Sequence, residues 1–344
     1  MSDVVHPNRA AGEDRAQASG RRNSPGWPSW LVRRVLSGAL AVTAVSVVVF
    51  AATQALPSDP ARTVLGPEAP QSSVDELRRQ LGLDRPLPAQ YWSWLGGVLR
   101  GDPGTSLDSH VPVGHIVSER LGNTLALVAC ATVVSTLLAL LLGTLAAVYR
   151  DRLVDRVVTS AAVAAQALPA FVTAVILVIV FSTTVFHALP AASLIEPGRS
   201  PWDRPDYLVL PATALVLSVT PYLLRQVRAA VAEALNSDYV AAARLRGVPE
   251  ARLLVRHALP NSLVSLVQAT ALTSSVLLGG SLVVEAAFTY PGLGGALNGA
   301  VQVRDVPVVQ AVVLVVAAGV VAVNLLADLA TVLLTPALRT GAAS

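Results

Sequence analysis

The sequence contains no lysine: all 25 of its basic residues are arginine. A phosphate-binding loop of the G-x-x-x-x-G-K-[ST] type needs a lysine to reach the phosphates, so this chain has none, and a lysine Schiff base is equally excluded. If the protein uses ATP, another chain must bind it. Cysteine is almost absent as well. Cys130 stands alone, which leaves no intrachain disulfide and no Cys-based zinc site. The five histidines lack metal-ligand spacing, and neither H-E-x-x-H nor G-x-S-x-G occurs. Charge is scarce too, at 14% of residues against about 25% in a soluble domain.

What remains is apolar: 53% of the chain is hydrophobic and the mean hydropathy is +0.59. Stretches free of Asp, Glu and Arg cover 35–58, 121–149, 157–195, 207–224, 257–284 and 306–327. About 20 predominantly apolar residues cross the hydrocarbon core, so the pattern predicts an all-α polytopic membrane protein with six transmembrane helices. Their expected bounds are about 35–56, 121–148, 157–183, 207–228, 264–286 and 307–334. The partner such a surface requires is the lipid bilayer, with no nucleic acid.

Arginine excess marks cytoplasmic loops. With the N-terminus inside, the inner segments carry 16 Arg against 9 acids, a net of +7. The outer ones carry 9 Arg against 13 acids, a net of −4. The expected topology is N-in/C-in. Residues 1–30 read as a disordered cytoplasmic tail, 31–339 as the membrane domain and 340–344 as a C-terminal tail. A cleaved signal peptide is the alternative for the first span, though its apolar run exceeds the usual 7–15 residues.

The outer segment 57–120 is too long for a bare loop. Ser73-Val74-Asp75-Glu76 has capping-box form, with Leu77 and Leu81 following at helical spacing and Gly82 stopping the run. Tyr91-Trp92-Ser93-Trp94-Leu95 then suggests an amphipathic helix lying on the membrane surface, or docking an extracytoplasmic protein.

The inner segment 229–262 is the most informative. Asp238 or Ser237 can cap a short Ala-rich helix, Gly247 suits the position that ends it, and Pro249 with Glu250 can open a second helix. Arg252 and Arg256 share a face, and Pro260 closes the segment. A helix–Gly–helix element rich in small residues can seat in a partner's groove. An ordinary basic loop is the competing reading.

The string Asp238-Tyr239-Val240-Ala241-Ala242-Ala243-Arg244, then Gly247, then Arg256-His257-Ala258-Leu259-Pro260, resembles the EAA loop of bacterial ABC importer permeases, in its dipeptide/oligopeptide/nickel form. The loop's usual Glu is Ala241 here and its usual Ile is His257. The resemblance runs over roughly 31–339. It includes Gly82-Leu83-Asp84-Arg85-Pro86-Leu87, Gly101-Asp102 with Gly104-Thr105-Ser106-Leu107, Leu210-Pro211-Ala212, Tyr290-Pro291-Gly292-Leu293-Gly294, Arg304-Asp305 and Asn324 to Leu329. It implies a type I ABC importer permease of the bacterial plasma (inner) membrane, with no cofactor of its own and ATP bound by partner subunits. Those partners would be a second homologous permease, two cytoplasmic ATPase subunits and an extracytoplasmic solute-binding protein. Peptides are the first expectation for cargo, with nickel or another small solute as the alternative.

Polar residues inside spans are functional candidates. Ser265, Gln268 and Ser275 form one stripe of span five, able to line a path or to join helices. Glu285 is expected at the outer end of span five, as a gate or receptor contact. Asn324 and Asp328 share a face of span six, in a network moving with the inner gate or in a static contact. Pro169 and Pro221 can kink their helices. A secondary transporter would leave the inner loop unexplained and usually shows internal repeats, which are absent here. An intramembrane enzyme would lack any nucleophile–base pair.

Overall fold

In hydrocarbon the backbone must satisfy its own N–H and C=O groups, so apolar runs become helices. The computed structural model describes residues 27–55, 60–66, 68–80, 82–196 and 198–334. In chain order its helices are α1 (Trp27–Gln54), α2 (Pro60–Leu65), α3 (Gln71–Gln80), α4 (Leu87–Leu99), α5 (Val113–Val148), α6 (Leu153–Gln166) and α7 (Ala170–Val178). Then follow α8 (Asp206–Leu235), α9 (Asp238–Leu245), α10 (Glu250–Leu253), α11 (Leu259–Ala287), α12 (Leu293–Gln302) and α13 (Val306–Leu334). π-Helical turns extend α7 over Ile179–Thr184 and join α10 to α11 over Leu254–Ala258. The only strand-like feature among the described residues is an isolated bridge between Thr105 and Pro112. Most of the expected tail 1–30 and all of 340–344 lie outside the described residues, but Trp27 to Trp30 are already helical.

Helices α1, α5, α8, α11 and α13 are long and apolar enough to cross a membrane. Two of them outrun their expected bounds: α5 begins at Val113 rather than 121, and α8 ends at Leu235 rather than 228. An apolar run marks only the hydrocarbon layer, whereas a helix can continue into the headgroup zone.

The continuous third span expected over 157–183 is instead two helices, α6 and α7, meeting at 98°. Pro169 stands at the N-cap of α7. It lacks an N–H and disfavours α geometry in Leu168, so the chain turns there. Pro211 and Pro221, by contrast, stay inside an uninterrupted α8.

Helix α8 is the hub, packing on α5, α6, α7 and α11. Between helices already in lipid, close packing replaces the hydrophobic effect as the driving force, which favours small residues at contacts. Gly143 of α5 shows this: a Cβ there would stand 2.8 Å from both Leu224 O and Val227 Cβ of α8. One cluster joins Leu127, Leu215, Leu277 and Phe288; a second joins Ala139, Leu223, Val227 and Leu266. A third seats Val113 and Val117 of α5 against Leu293 and Val312.

In the outer segment α3 begins at Gln71 after Pro70, so Ser73 lies within its first turn and is not the N-cap. Gly82, at φ +68°, ends the run, with Leu83 N donating to Arg78 O. Helix α4 rests on α1 through aromatic contacts, Phe50 meeting Tyr91 edge-on at 5.4 Å. Tyr91 and Ser46 hydroxyls lie 2.9 Å apart, while Trp92 and Leu99 face outward.

Candidate functional site

The α9–α10 loop forms a small module. Ser237 occupies the N-cap of α9, but its hydroxyl donates backward to Ala234 O at 2.6 Å and caps nothing in α9. Val240 and Ala243 are buried against Leu253 and Val248. That leaves Ala241, Ala242, Arg244, Leu245 and Arg246 exposed, with Leu245 90% exposed. Gly247 adopts φ +80°, in the left-handed region that suits glycine. Val248 N donates to Ala243 O across it, as in a helix-ending glycine turn. The module is clasped by a bidentate pair: Arg244 Nε and Nη2 donate to the two oxygens of Glu250 at 2.5 and 3.0 Å. Arg244 thereby holds the Glu250 carboxyl below its usual range, and its own guanidinium is raised by the same bond. Asp238 and Tyr239 are exposed on the first turn, and Tyr239 packs on His257 with ring centroids 6.3 Å apart.

The second helix differs from its expected form. Pro260 does not close it: α10 passes through the π turn Leu254–Ala258 directly into α11, with Pro260 in that helix's first turn. Helical turns precede Pro260, so its missing N–H interrupts the bonding of a continuous helical path, and the wider turn before it accommodates that interruption. Arg256 is exposed, His257 is half-buried, and Leu259 packs on the inner core cluster.

The span residues are dispersed. Ser265 and Gln268 are exposed, whereas Ser275 is buried and donates to Ala271 O, so the expected stripe is split. Glu285 is fully buried, with no surface to offer a receptor in this conformation. It accepts from Gly294 N at 2.6 Å at the start of α12. Around it Leu293 N donates to Thr124 Oγ1, Asn123 Nδ2 to Pro291 O, and Tyr290 hydroxyl to Asn123 O, at 2.8, 2.8 and 2.9 Å. These bonds lock the α11–α12 turn to α5. Asn324 turns back to Val320 O of its own helix. Asp328 instead pairs with Arg34, tying α13 to α1, so the two do not form one network.

Two networks were not legible from spacing. Asp155 of α6 is buried and takes a bidentate bond from Arg228 of α8, at 2.7 Å on both oxygens, with Thr159 and Asp151 N adding further donors. Asp305, just before α13, accepts from Ser106 hydroxyl and from Leu107 N, pinning the outer segment to the last span. The partners are 73 and 199 residues apart in sequence. The only available signal was that each acid stands beside an apolar run.

Comparison with known proteins agrees with this architecture. Residues 139–340 match the family model described as binding-protein-dependent transport system inner membrane component. Residues 28–128 match the model for the N-terminal part of such membrane components. The glutathione transport system permease protein GsiC of Escherichia coli strain K12 is 35% identical over 311 residues, spanning 90% of this chain and 99% of the relative. The proteins of the same name from Shigella dysenteriae serotype 1 and Salmonella typhi show the same identity and coverage.

Proposed function

Because the chain belongs to the family of binding-protein-dependent transport system inner membrane components, it is a permease subunit of a bacterial ABC importer, and we propose that it carries short peptides. It is a transport component of the inner membrane, not an enzyme, and its family works with ATPase and solute-binding partners. The single observation carrying the cargo is near full-length similarity to a glutathione permease, glutathione being itself a small peptide.

The finer reading pairs this chain with a homologous permease, two cytoplasmic ATPase subunits and one extracytoplasmic binding protein. ATP binds only to those ATPases, consistent with the missing lysine. Both termini lie inside, which presents α9 to an ATPase groove. Its exposed Ala241, Ala242 and Leu245 supply a low, apolar contact, while Val240 and Ala243 hold α9 against Leu253 of α10. ATPase closure would push on this module, and the continuous backbone from α10 through α11 passes the displacement toward Ser265 and Gln268. Glu285 and the Arg34–Asp328 pair would hold the outer turn and the flanking spans as the inner end moves.

The test is uptake of labelled glutathione and of di- to hexapeptides by cells lacking other peptide importers, with and without this chain. Peptide uptake dependent on the chain supports the cargo. Uptake of nickel with no peptide uptake rejects it. Cysteine labelling at His110 and Leu245 positions checks topology: opposite sides are expected, and labelling from one side rejects the arrangement.

A further inference from the structure

We propose that the chain holds an anionic phospholipid beside the α9–α10 loop, one acyl chain lying in a groove of α5 and the headgroup in an adjoining basic pocket. The placement in the inner leaflet rests on the topology proposed above.

The groove encloses about 420 Å³. Leu137, Leu141, Leu145 and Val148 line one wall at offsets of four, four and three, a single stripe of α5. Leu254 and Leu259 form the other wall. Five residues apart, they would diverge by about 140° on an α-helix; the intervening i→i+5 turn brings both onto one side. Leu137 and Leu141 are more than half exposed, so nothing among the described residues covers that part of the stripe.

A second cavity of about 480 Å³ begins where the groove ends, since Val148 and Leu254 line both. Its walls are mixed: apolar side chains such as Val148 and Leu235 supply most of the surface, and Arg150, Asn236, Arg244 and Glu250 bring polar groups to it. Arg244 and Glu250 neutralise one another. Arg150 does not share in that pair. It approaches Asp151 at 3.7 Å, and among the described residues its guanidinium donates no hydrogen bond. It therefore offers a forked donor that suits a phosphate. Tyr149 lines the groove between Val148 and Arg150 in sequence, and aromatic residues favour a membrane–water boundary. An apolar slot opening into a basic pocket has the two-part chemistry of a phospholipid, and basic pockets between spans on the cytoplasmic side bind anionic headgroups. A soluble anion would leave the slot unused. Because Arg244 and Glu250 form part of the pocket wall, the lipid would steady the loop that meets the ATPase.

The experiment uses the complete importer, purified with its partner permease and ATPases and placed in phosphatidylcholine nanodiscs with or without phosphatidylglycerol. Native mass spectrometry after delipidating washes reads retained phosphatidylglycerol, and ATPase rate reads its effect. The wild type should retain the lipid and run severalfold faster with it. Arg150→Gln should retain it about tenfold less tightly, the loss of one charge-assisted contact. Leu141→Trp should displace it by filling the slot, with assembly unchanged. Wild-type retention in both variants would overturn the proposal. So would full competition by soluble glycerol phosphate, or efficient crosslinking of Leu141→Cys, in a Cys130→Ser background, to the partner permease. Labelling of Leu245→Cys reports orientation separately, so failure of the topology and failure of the lipid site are told apart.

Discussion

The α11–α12 turn and the α9–α10 loop are both abrupt reversals between helices, both depend on glycine, and their side chains face opposite ways. At the α11–α12 turn Glu285, Phe288, Tyr290 and Leu293 are fully buried, and four hydrogen bonds tie the turn to α5 and α11. At the α9–α10 loop three buried residues and one exposed ion pair hold the module, and the rest of α9 faces outward. Glycine serves each for a different reason. A Cβ on Gly294 would overlap the Leu282 backbone, whereas a Cβ on Gly247 would meet nothing within 4 Å. Gly247 is required by its positive φ alone. The α11–α12 turn is thus completed by its own chain, while the α9–α10 loop is held in shape with most of α9 exposed.

Gly247→Val should produce the largest functional loss. A β-branched residue at φ +80° carries strain of about 1–3 kcal/mol, which the loop relieves by changing shape. Uptake and ATPase co-purification are expected to disappear at normal membrane levels of the variant. Full assembly with wild-type uptake would show that the two reversals do not differ in this way.

Gly294→Ala should do the reverse, harming the fold before the function. The added methyl must displace the Leu282 backbone, at a cost of about 1–3 kcal/mol. The expected readout is a lowered Tm and yield of the detergent-purified permease, with the remaining folded molecules still binding ATPase. An unchanged Tm would mean the outer turn is not locked.

Glu285→Ala, compared with Glu285→Gln, isolates the hydrogen bond. Alanine leaves the Gly294 N–H buried without its acceptor, about 1–3 kcal/mol. Glutamine retains an acceptor oxygen and should recover most of that loss in the same melting experiment. Equal destabilisation by both would assign the effect to charge and not to the hydrogen bond.

The smallest effect is expected at the exposed Arg244–Glu250 clasp. Since Arg244 lowers the Glu250 pKa, the pair's contribution is fully present above the unfolded value of about 4.3 and fades as pH falls through the lower folded one. Amide exchange of the α9–α10 loop should therefore be flat from neutral pH down to about 5, after correction for intrinsic rates. Protection should drop only in stronger acid. Arg244→Gln should remove that acid step. A step near neutral pH would place the titrating group elsewhere.

Much of this organisation was readable in one dimension. Apolar run lengths located five of the long helices, because hydrocarbon thickness sets a local requirement that a run meets by itself, but the third run became two helices. Gly247 and Pro249 marked the inner reversal, because backbone restrictions act within one or two residues. Pro169 and Pro221 show where such local reading stops. Both are prolines in apolar runs, yet one stands at a 98° break and the other sits inside an uninterrupted helix. The difference lies in what surrounds them: Pro221 is buried in the hub helix, packed among its neighbours, while Pro169 begins the shorter α7.

The amino-acid sequence by itself determined that this is a helical membrane protein without a lysine-bearing phosphate loop, since both follow from residue types and run lengths alone. It also marked Gly247 and Pro249 as the reversal of the α9–α10 loop, though not the end of the second helix, which runs on past Pro260. Only the tertiary structure decided which polar residues meet: Asp155 with Arg228, Asp305 with Ser106, Asp328 with Arg34, and Glu285 with the backbone of Gly294. The physical reason is that a buried or lipid-adjacent polar group must find a partner somewhere, but nothing in local spacing says on which helix that partner lies. Packing of small residues such as Gly143 against α8 brings the helices close enough for those partners to be chosen.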